Sequence, residues 1–178
     1  MKNLVIFLFM VATMDGSVMA GGVDPMMPSV SGRDLNGKPW SAPGGLPGER
    51  TIVLAGFDEP QQAAIDTWVR GLGLSAEENR IPWVEMPVIE DPGVLMRWFI
   101  NTGMRGGIKD RLMRSRVWTA YTDKAAFLHA CKIASDKEAC ALVVDRRGRI
   151  IANVAGAYTK AGATKLMEAI GSPTKFSP

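Results

Sequence analysis

A chain of 178 residues with 47% hydrophobic content suits one domain with a single core. The formal net charge of +3 is mild, and no RNA- or DNA-binding signature accompanies it, so nucleic acid is not an expected partner. His129 is the single histidine, which excludes a His-based metal cage; on a helix it reads as a surface or boundary residue.

Residues 1–20 have the pattern of a signal peptide. Lys2 supplies a short positive region, Leu4 to Ala12 is apolar but too short to span a bilayer, and Val18-Met19-Ala20 offers small residues for cleavage after Ala20. Asp15 is an untidy feature next to that site. The segment has no Arg, unlike a mitochondrial transit peptide, and no cysteine follows it to carry a lipid anchor. The expected location is periplasmic or secreted, with folding in an oxidising compartment. Residues 21–28 read as a Pro/Met-rich linker, 29–172 as the domain and 173–178 as a tail.

Within the domain, Asn36-Gly37 between two short extended runs predicts a β-hairpin. A Pro/Gly-rich loop from Ala42 to Gly48 leads to Thr51-Ile52-Val53-Leu54-Ala55, a continuous apolar run that suits a strand covered on both faces. The strand turns at Gly56-Phe57 into a helix. Asp58 is expected to cap it, with Gln61 completing a capping box and Pro60 tolerated in the first turn. Ile65, Trp68, Val69 and Leu72 give that helix one apolar face, and Gly71 and Gly73 end it.

Ser75 to Arg80 is a polar connection. Pro82 to Ile89 alternates as a strand, with Val84, Met86 and Val88 on one face and Glu85 and Pro87 on the other. Asp91-Pro92 predicts a helix start, Leu95, Trp98 and Phe99 its apolar stripe, and Gly103, Gly106 and Gly107 its break. Val117 to Tyr121 is expected as strand, Asp123 to Cys131 as helix and Ala141 to Val144 as strand. A turn at Asp145 to Gly148 returns the chain along Arg149 to Ala155, and Thr159 caps a last helix facing the core with Ala163, Leu166, Met167 and Ile170. Parallel strands joined to an antiparallel hairpin and covered by helices make an α/β, thioredoxin-like central mixed sheet with an N-terminal β-hairpin extension.

Gly32 to Lys38 followed by Thr51 to Phe57, and Leu142 to Asp145 with Gly148-Arg149-Ile150 and Gly156, resemble the opening and closing segments of periplasmic thioredoxin-like and peroxiredoxin-like proteins. The resemblance covers roughly residues 30–170. More narrowly, Gln61-Gln62 with Asp66 and Trp68, then Arg97-Trp98-Phe99 and Gly107-Ile108, are similar to the thioredoxin-like assembly-factor family of the mitochondrial ATP synthase. That resemblance implies chaperoning of a membrane subunit rather than thiol catalysis. An exported protein would sit on the opposite side of the membrane from where that family works, so its partner need not be an ATP synthase.

The departures are chemical. Dithiol exchange needs a low-pKa thiolate at the helix start after the central strand, with a resolving thiol beside it. This chain has Pro60, Gln61, Ala63 and Ala64 across that region, and Gln61 and Gln62 stand where the reactive pair is expected. The cis-proline implied before the closing hairpin would fall near Ala139, within Glu138-Ala139-Cys140. Cys131 and Cys140, the only cysteines, are expected to form a disulfide that contributes about 2.5 kcal/mol; the alternative is a displaced redox pair beside Lys132 and Lys137.

Two surfaces are candidates for binding. One is the tip Asp58, Glu59, Gln61 and Gln62. The other is a basic, aromatic-bearing segment from Arg97 to Trp118, in which Arg105, Lys109, Arg111, Arg114 and Arg116 suit an acidic protein surface or anionic lipid headgroups, against the alternative of a solvated helix face plus a loop. Glu85, Glu90 and Asp91 can be imagined as paired acids, but Glu90-Asp91 at a helix start has a capping explanation. The expected function is a non-catalytic binding or assembly module of the cell envelope, monomeric and without cofactor, whose partner is an envelope or membrane protein. The alternative is a divergent thiol-disulfide oxidoreductase using Cys131 and Cys140.

Overall fold

The apolar run at Thr51 becomes the middle strand of a five-stranded sheet, and the rest of the chain is laid out on either side of it. The computed structural model describes residues 24–171. A hairpin of β1 (Val30–Arg33) and β2 (Pro39–Ala42) comes first, then β3 (Arg50–Gly56), a 3-10 turn at Glu59–Gln61 and α1 (Gln62–Gly71). β4 (Trp83–Ile89), α2 (Val94–Gly107), α3 (Arg111–Arg116) and β5 (Ala120–Tyr121) follow. The chain closes with α4 (Lys124–Ala130), β6 (Cys140–Asp145), β7 (Ile150–Ala155) and α5 (Lys160–Ile170).

The sheet order is β5-β4-β3-β6-β7, with β3, β4 and β5 parallel, β6 antiparallel to β3, and β7 antiparallel to β6. β3 is covered on both faces, which is why its apolar residues do not alternate with polar ones. Val53 and Ala55 pack with Val84, Met86, Val88, Leu142 and Phe127 on one face. Ile52 and Leu54 pack on the other with Trp83, Val143, Leu166 and the α1 residues Ile65 and Trp68. Trp68 is anchored twice: its indole Nε1 donates to Gly156 O at 2.9 Å, and Tyr158 meets its ring edge-on.

Local chemistry explains the ends of these elements. Asp34 Oδ1 accepts from the backbone N–H groups of Asn36 and Lys38, and Gly37 takes a φ of 86°, which closes the first hairpin. Trp40 of that hairpin stacks on Trp118 with ring centroids 5.1 Å apart, docking the extension beside β5. Asp123 and Thr159 cap α4 and α5 by accepting from Ala126 N and Gly162 N.

Several sequence expectations are corrected here. Met26 and Met27 fall in the expected linker, yet Met26 pairs with Arg149, and Met27 is buried and donates its N–H to Gly148 O; ordered packing begins before Ser29. α2 starts later than Asp91-Pro92, because the Asp91 carboxylate is engaged by Gly93 N and Arg97 and Gly93 becomes the N-cap. Gly103 and Gly106 do not interrupt that helix, since a glycine weakens a helix by only about 1 kcal/mol; it ends at Gly107, where Ile108 N donates to Met104 O. The strand expected over Val117 to Tyr121 is reduced to Ala120–Tyr121 plus an isolated bridge from Val117 to Glu85, and the residues before it form α3. The signal peptide (1–20), residues 21–23 of the linker, the tail (173–178) and the side chains of Leu95, Trp98 and Phe99 lie outside the described residues.

Candidate functional site

The corner after β3 is built as a rigid tip. Asp58 is the N-cap of the 3-10 turn and accepts from Glu59 N at 2.8 Å. Gln61 does not complete the expected capping box on Asp58. Its Oε1 accepts from Phe57 N at 2.9 Å, one residue upstream, while its Nε2 donates to Asp136 O at 2.7 Å. Gln61 thereby ties the end of the central strand to the loop before β6. Asp58 and Glu59 are exposed beside it, and Gln62, also exposed, donates to Asp66 at 3.1 Å.

Against this tip opens a cavity of about 920 Å³, lying across the carboxyl ends of β3 and β4. Crevices at the carboxyl ends of parallel strands are common ligand positions in open α/β sheets. One side is the corner and α1, with Phe57, Asp58, Glu59, Gln62, Ile65 and Asp66. The floor is β4, with Glu85, Pro87 and Ile89. The far wall is α2 and its end, with Ile100, Gly103, Met104, Gly107 and Ile108. Sequence reasoning set Glu85 aside, yet it is the most perturbed acid of the site. It is 7% exposed, and burial, opposed in part by a hydrogen bond from Gln62, pushes its carboxyl up to about 7. Asp66 adds a repulsion of like sign. The signal was present as a lone Glu inside Trp83-Val84-Glu85-Met86, a strand otherwise apolar on both faces.

The cysteines sit elsewhere. Cys140 pairs with Ala55 across β3 and β6, in the same core cluster as Cys131 and Phe127, whereas Glu85 pairs with Leu54, whose side chain joins the opposite cluster. The sheet therefore separates the thiols from the cavity. Both are buried, free thiols in this structure. Cys131 caps α4 with its Sγ 3.9 Å from Met26 O, and Cys140 is held in the first position of β6, each directed by its own element. Burial pushes Cys131 up to about 12 and Cys140 up to about 11, the first raised further by Cys140 and the second by Glu138. At neutral pH both are protonated, and neither is a ready nucleophile.

Solved structures share this arrangement over most of the chain. A putative electron transfer protein from Aquifex aeolicus VF5 aligns with a TM-score of 0.56 at 12% identity, covering 85% of this chain and 100% of that one. BsSco, a member of the Sco family of cytochrome c oxidase assembly proteins, aligns with a TM-score of 0.54 at 13% identity over 84% and 94%. The exposed lipoprotein thioredoxin Etrx1 of Streptococcus pneumoniae aligns with 0.52 at 11% over 79% and 98%. The fold is thioredoxin-like. No protein-family model matches the sequence, and no curated protein does.

Ala139 is in an ordinary trans peptide, its carbonyl accepting from Gly156 N at 2.8 Å.

The basic segment is largely absorbed into the fold. Arg105 Nε donates to Leu35 O at 2.7 Å, Arg114 Nε to Ile108 O at 2.5 Å and Arg116 to Trp83 O at 3.3 Å, so these arginines are engaged by backbone carbonyls of the first hairpin turn, the end of α2 and the start of β4. Arg97 pairs with Asp91. Lys109 and Arg111 remain exposed beside Leu112, which is 62% exposed, so the lipid-facing candidate shrinks to the start of α3. The structure does not bring these residues into the cavity.

Proposed function

We propose that the protein is a non-catalytic thioredoxin-like binding or assembly module of the cell envelope, exported by residues 1–20, which recognises an envelope or membrane protein through the Asp58 to Gln62 tip and the cavity beside it. The observation that carries this reading is the division of labour across the sheet. The corner where dithiol chemistry is performed holds Asp58 and Gln61, each used to fix the backbone, while the two thiols are buried on the other face and held protonated. A rigid strand-to-helix tip with exposed hydrogen-bonding side chains is suited to recognition. The resemblance of Gln61-Gln62, Asp66 and Trp68 to an assembly-factor family supports the same reading, as does the fold shared with an assembly protein of the Sco family. The exposed Lys109 and Arg111 provide a secondary contact for an anionic membrane surface.

Photocrosslinking in the native host from positions 62 and 111 tests this function. A discrete envelope protein captured from position 62 is the expected result, and its capture should survive replacement of both cysteines by alanine. The oxidoreductase alternative predicts insulin-disulfide reduction by the native chain that the double alanine variant loses. Observing that loss in a folded variant would overturn the non-catalytic reading.

A further inference from the structure

We infer that the cavity between α1 and α2 is a receptor for a lysine or arginine side chain of a partner polypeptide, its alkyl stem lying on the apolar walls and its cationic head meeting Glu85. The inference rests on the binding-module reading and specifies the chemistry of the partner.

Three independent features of the cavity point to such an occupant. Its charge is one-sided. Asp58, Glu59, Asp66 and Glu85 line it and, among the described residues, no lysine or arginine does. Glu85 is enclosed by the fold with Gln62 as its hydrogen-bonding neighbour, and the charged residue it senses is Asp66, of the same sign. A buried carboxylate without a cation is costly, and the usual remedies are a counter-charge or a proton. α2 presents apolar side chains and glycine to it, Val117 bridges it from the approach to β5, and Arg116 of α3 is turned away to Trp83, donating to its carbonyl with its guanidinium 6.0 Å from the ring centre.

The far wall is hollowed by glycine. Gly103 and Gly107, one helical turn apart on α2, both line the cavity, and a Cβ added at either would meet nothing within 4 Å. Both glycines are exposed, so the cavity is open to solvent along this wall and a partner side chain can enter past them. Between its acids the cavity carries apolar patches from Phe57, Ile65, Ile89, Ile100, Met104 and Ile108, against which a methylene stem can lie. Among the described residues no group of three or more His, Cys, Asp or Glu is arranged to hold a metal.

Entry of the cation changes the ionisation of the site. Glu85 enters the complex as a carboxylate, its proton leaves to solvent, and the ammonium or guanidinium head takes the proton's place as counter-charge; no covalent bond is made or broken. Affinity is therefore linked to pH and rises as pH passes through the neutral range.

The test titrates the full chain with the peptide acetyl-Leu-Lys-Leu-amide and with its norleucine analogue, followed calorimetrically in buffers of different ionisation heat. The lysine peptide should bind at least about tenfold more tightly at pH 8 than at pH 5.5, releasing about one proton per site at pH 6, while the norleucine peptide binds more weakly at pH 8 and without pH dependence. Glu85→Gln should remove the pH dependence. Gly103→Trp, which fills the hollow without touching an ionisable group, should remove binding while the circular dichroism spectrum is kept, so the test stands even if the Gln variant fails to fold. Equal binding of the two peptides, binding unaffected by Gly103→Trp, or no binding of the lysine peptide at pH 8 would each overturn the inference. A partner still captured from position 62 would then leave the broader binding reading standing, whereas loss of that capture refutes the broader reading itself.

Discussion

Replacing Glu85 with glutamine should change the pH dependence of stability, and the size of the change follows from the burial of this carboxyl. Glu85 is raised from 4.5 to about 7 in the folded chain, chiefly by burial, and returns to the ordinary value on unfolding. Below pH 4.5 both states are protonated and the group costs nothing. Between pH 4.5 and 7 the folded state keeps a proton that the unfolded state has lost, so stability falls as pH rises; above 7 the loss is complete and the curve flattens. A difference of roughly 2.5 pH units corresponds to about 3 kcal/mol. Glutamine keeps the shape and hydrogen-bonding capacity of the protonated acid without the titration. The variant should therefore match the native chain near pH 4 and exceed it by up to about 3 kcal/mol at pH 8, or about 6–12 °C in Tm for a chain of this size. Urea denaturation of both proteins at pH steps from 4 to 8 measures the difference directly, and subtracting the two curves removes the contribution of every other carboxylate. A difference that does not vary with pH would refute the argument, because it would mean that Glu85 is ionised alike in both states.

Other substitutions probe the scaffold around the site. Gln61→Ala removes the acceptor of Phe57 N and the donor to Asp136 O, and should cost about 1–3 kcal/mol in urea unfolding while raising amide exchange at Phe57. Trp68→Ala leaves a cavity in the core under α1, frees Gly156 O and strips Tyr158 of its edge contact; a loss of about 3–5 kcal/mol is expected in the same assay. Gly103→Ala, placed in open space inside α2, should raise stability by up to about 1 kcal/mol through helix propensity, and a loss of stability would show that the hollow is narrower than the geometry implies.

Much of the fold was legible because it is written in local patterns. The continuous apolar run from Thr51 to Ala55 suits a covered strand, the hairpin at Asn36-Gly37 needed a residue that tolerates positive φ, and the Asp123 and Thr159 caps announce their helices. The glycines of α2 mark where it ends, at Gly107, while Gly103 and Gly106 lie within it, because propensity is a weak local term and a helix whose backbone bonds are made can carry several glycines. The absence of thiols at the helix start was likewise a property of the sequence alone.

What the sequence left open concerns distances between segments far apart in the chain. Cys131 and Cys140 are close in number, but that a helix end and a strand start bring both into one buried cluster is a matter of tertiary packing. The arginines from Arg105 to Arg116 form a basic stretch in one dimension; three of them are drawn in by the carbonyls of Leu35, Ile108 and Trp83, which no spacing rule places near them. Glu85 had the alternation of an ordinary strand residue. Only the placement of α1 and α2 beside the end of β4 buries it at the floor of an acid-lined cavity, because burial is a property of what packs above a residue and not of the residues beside it.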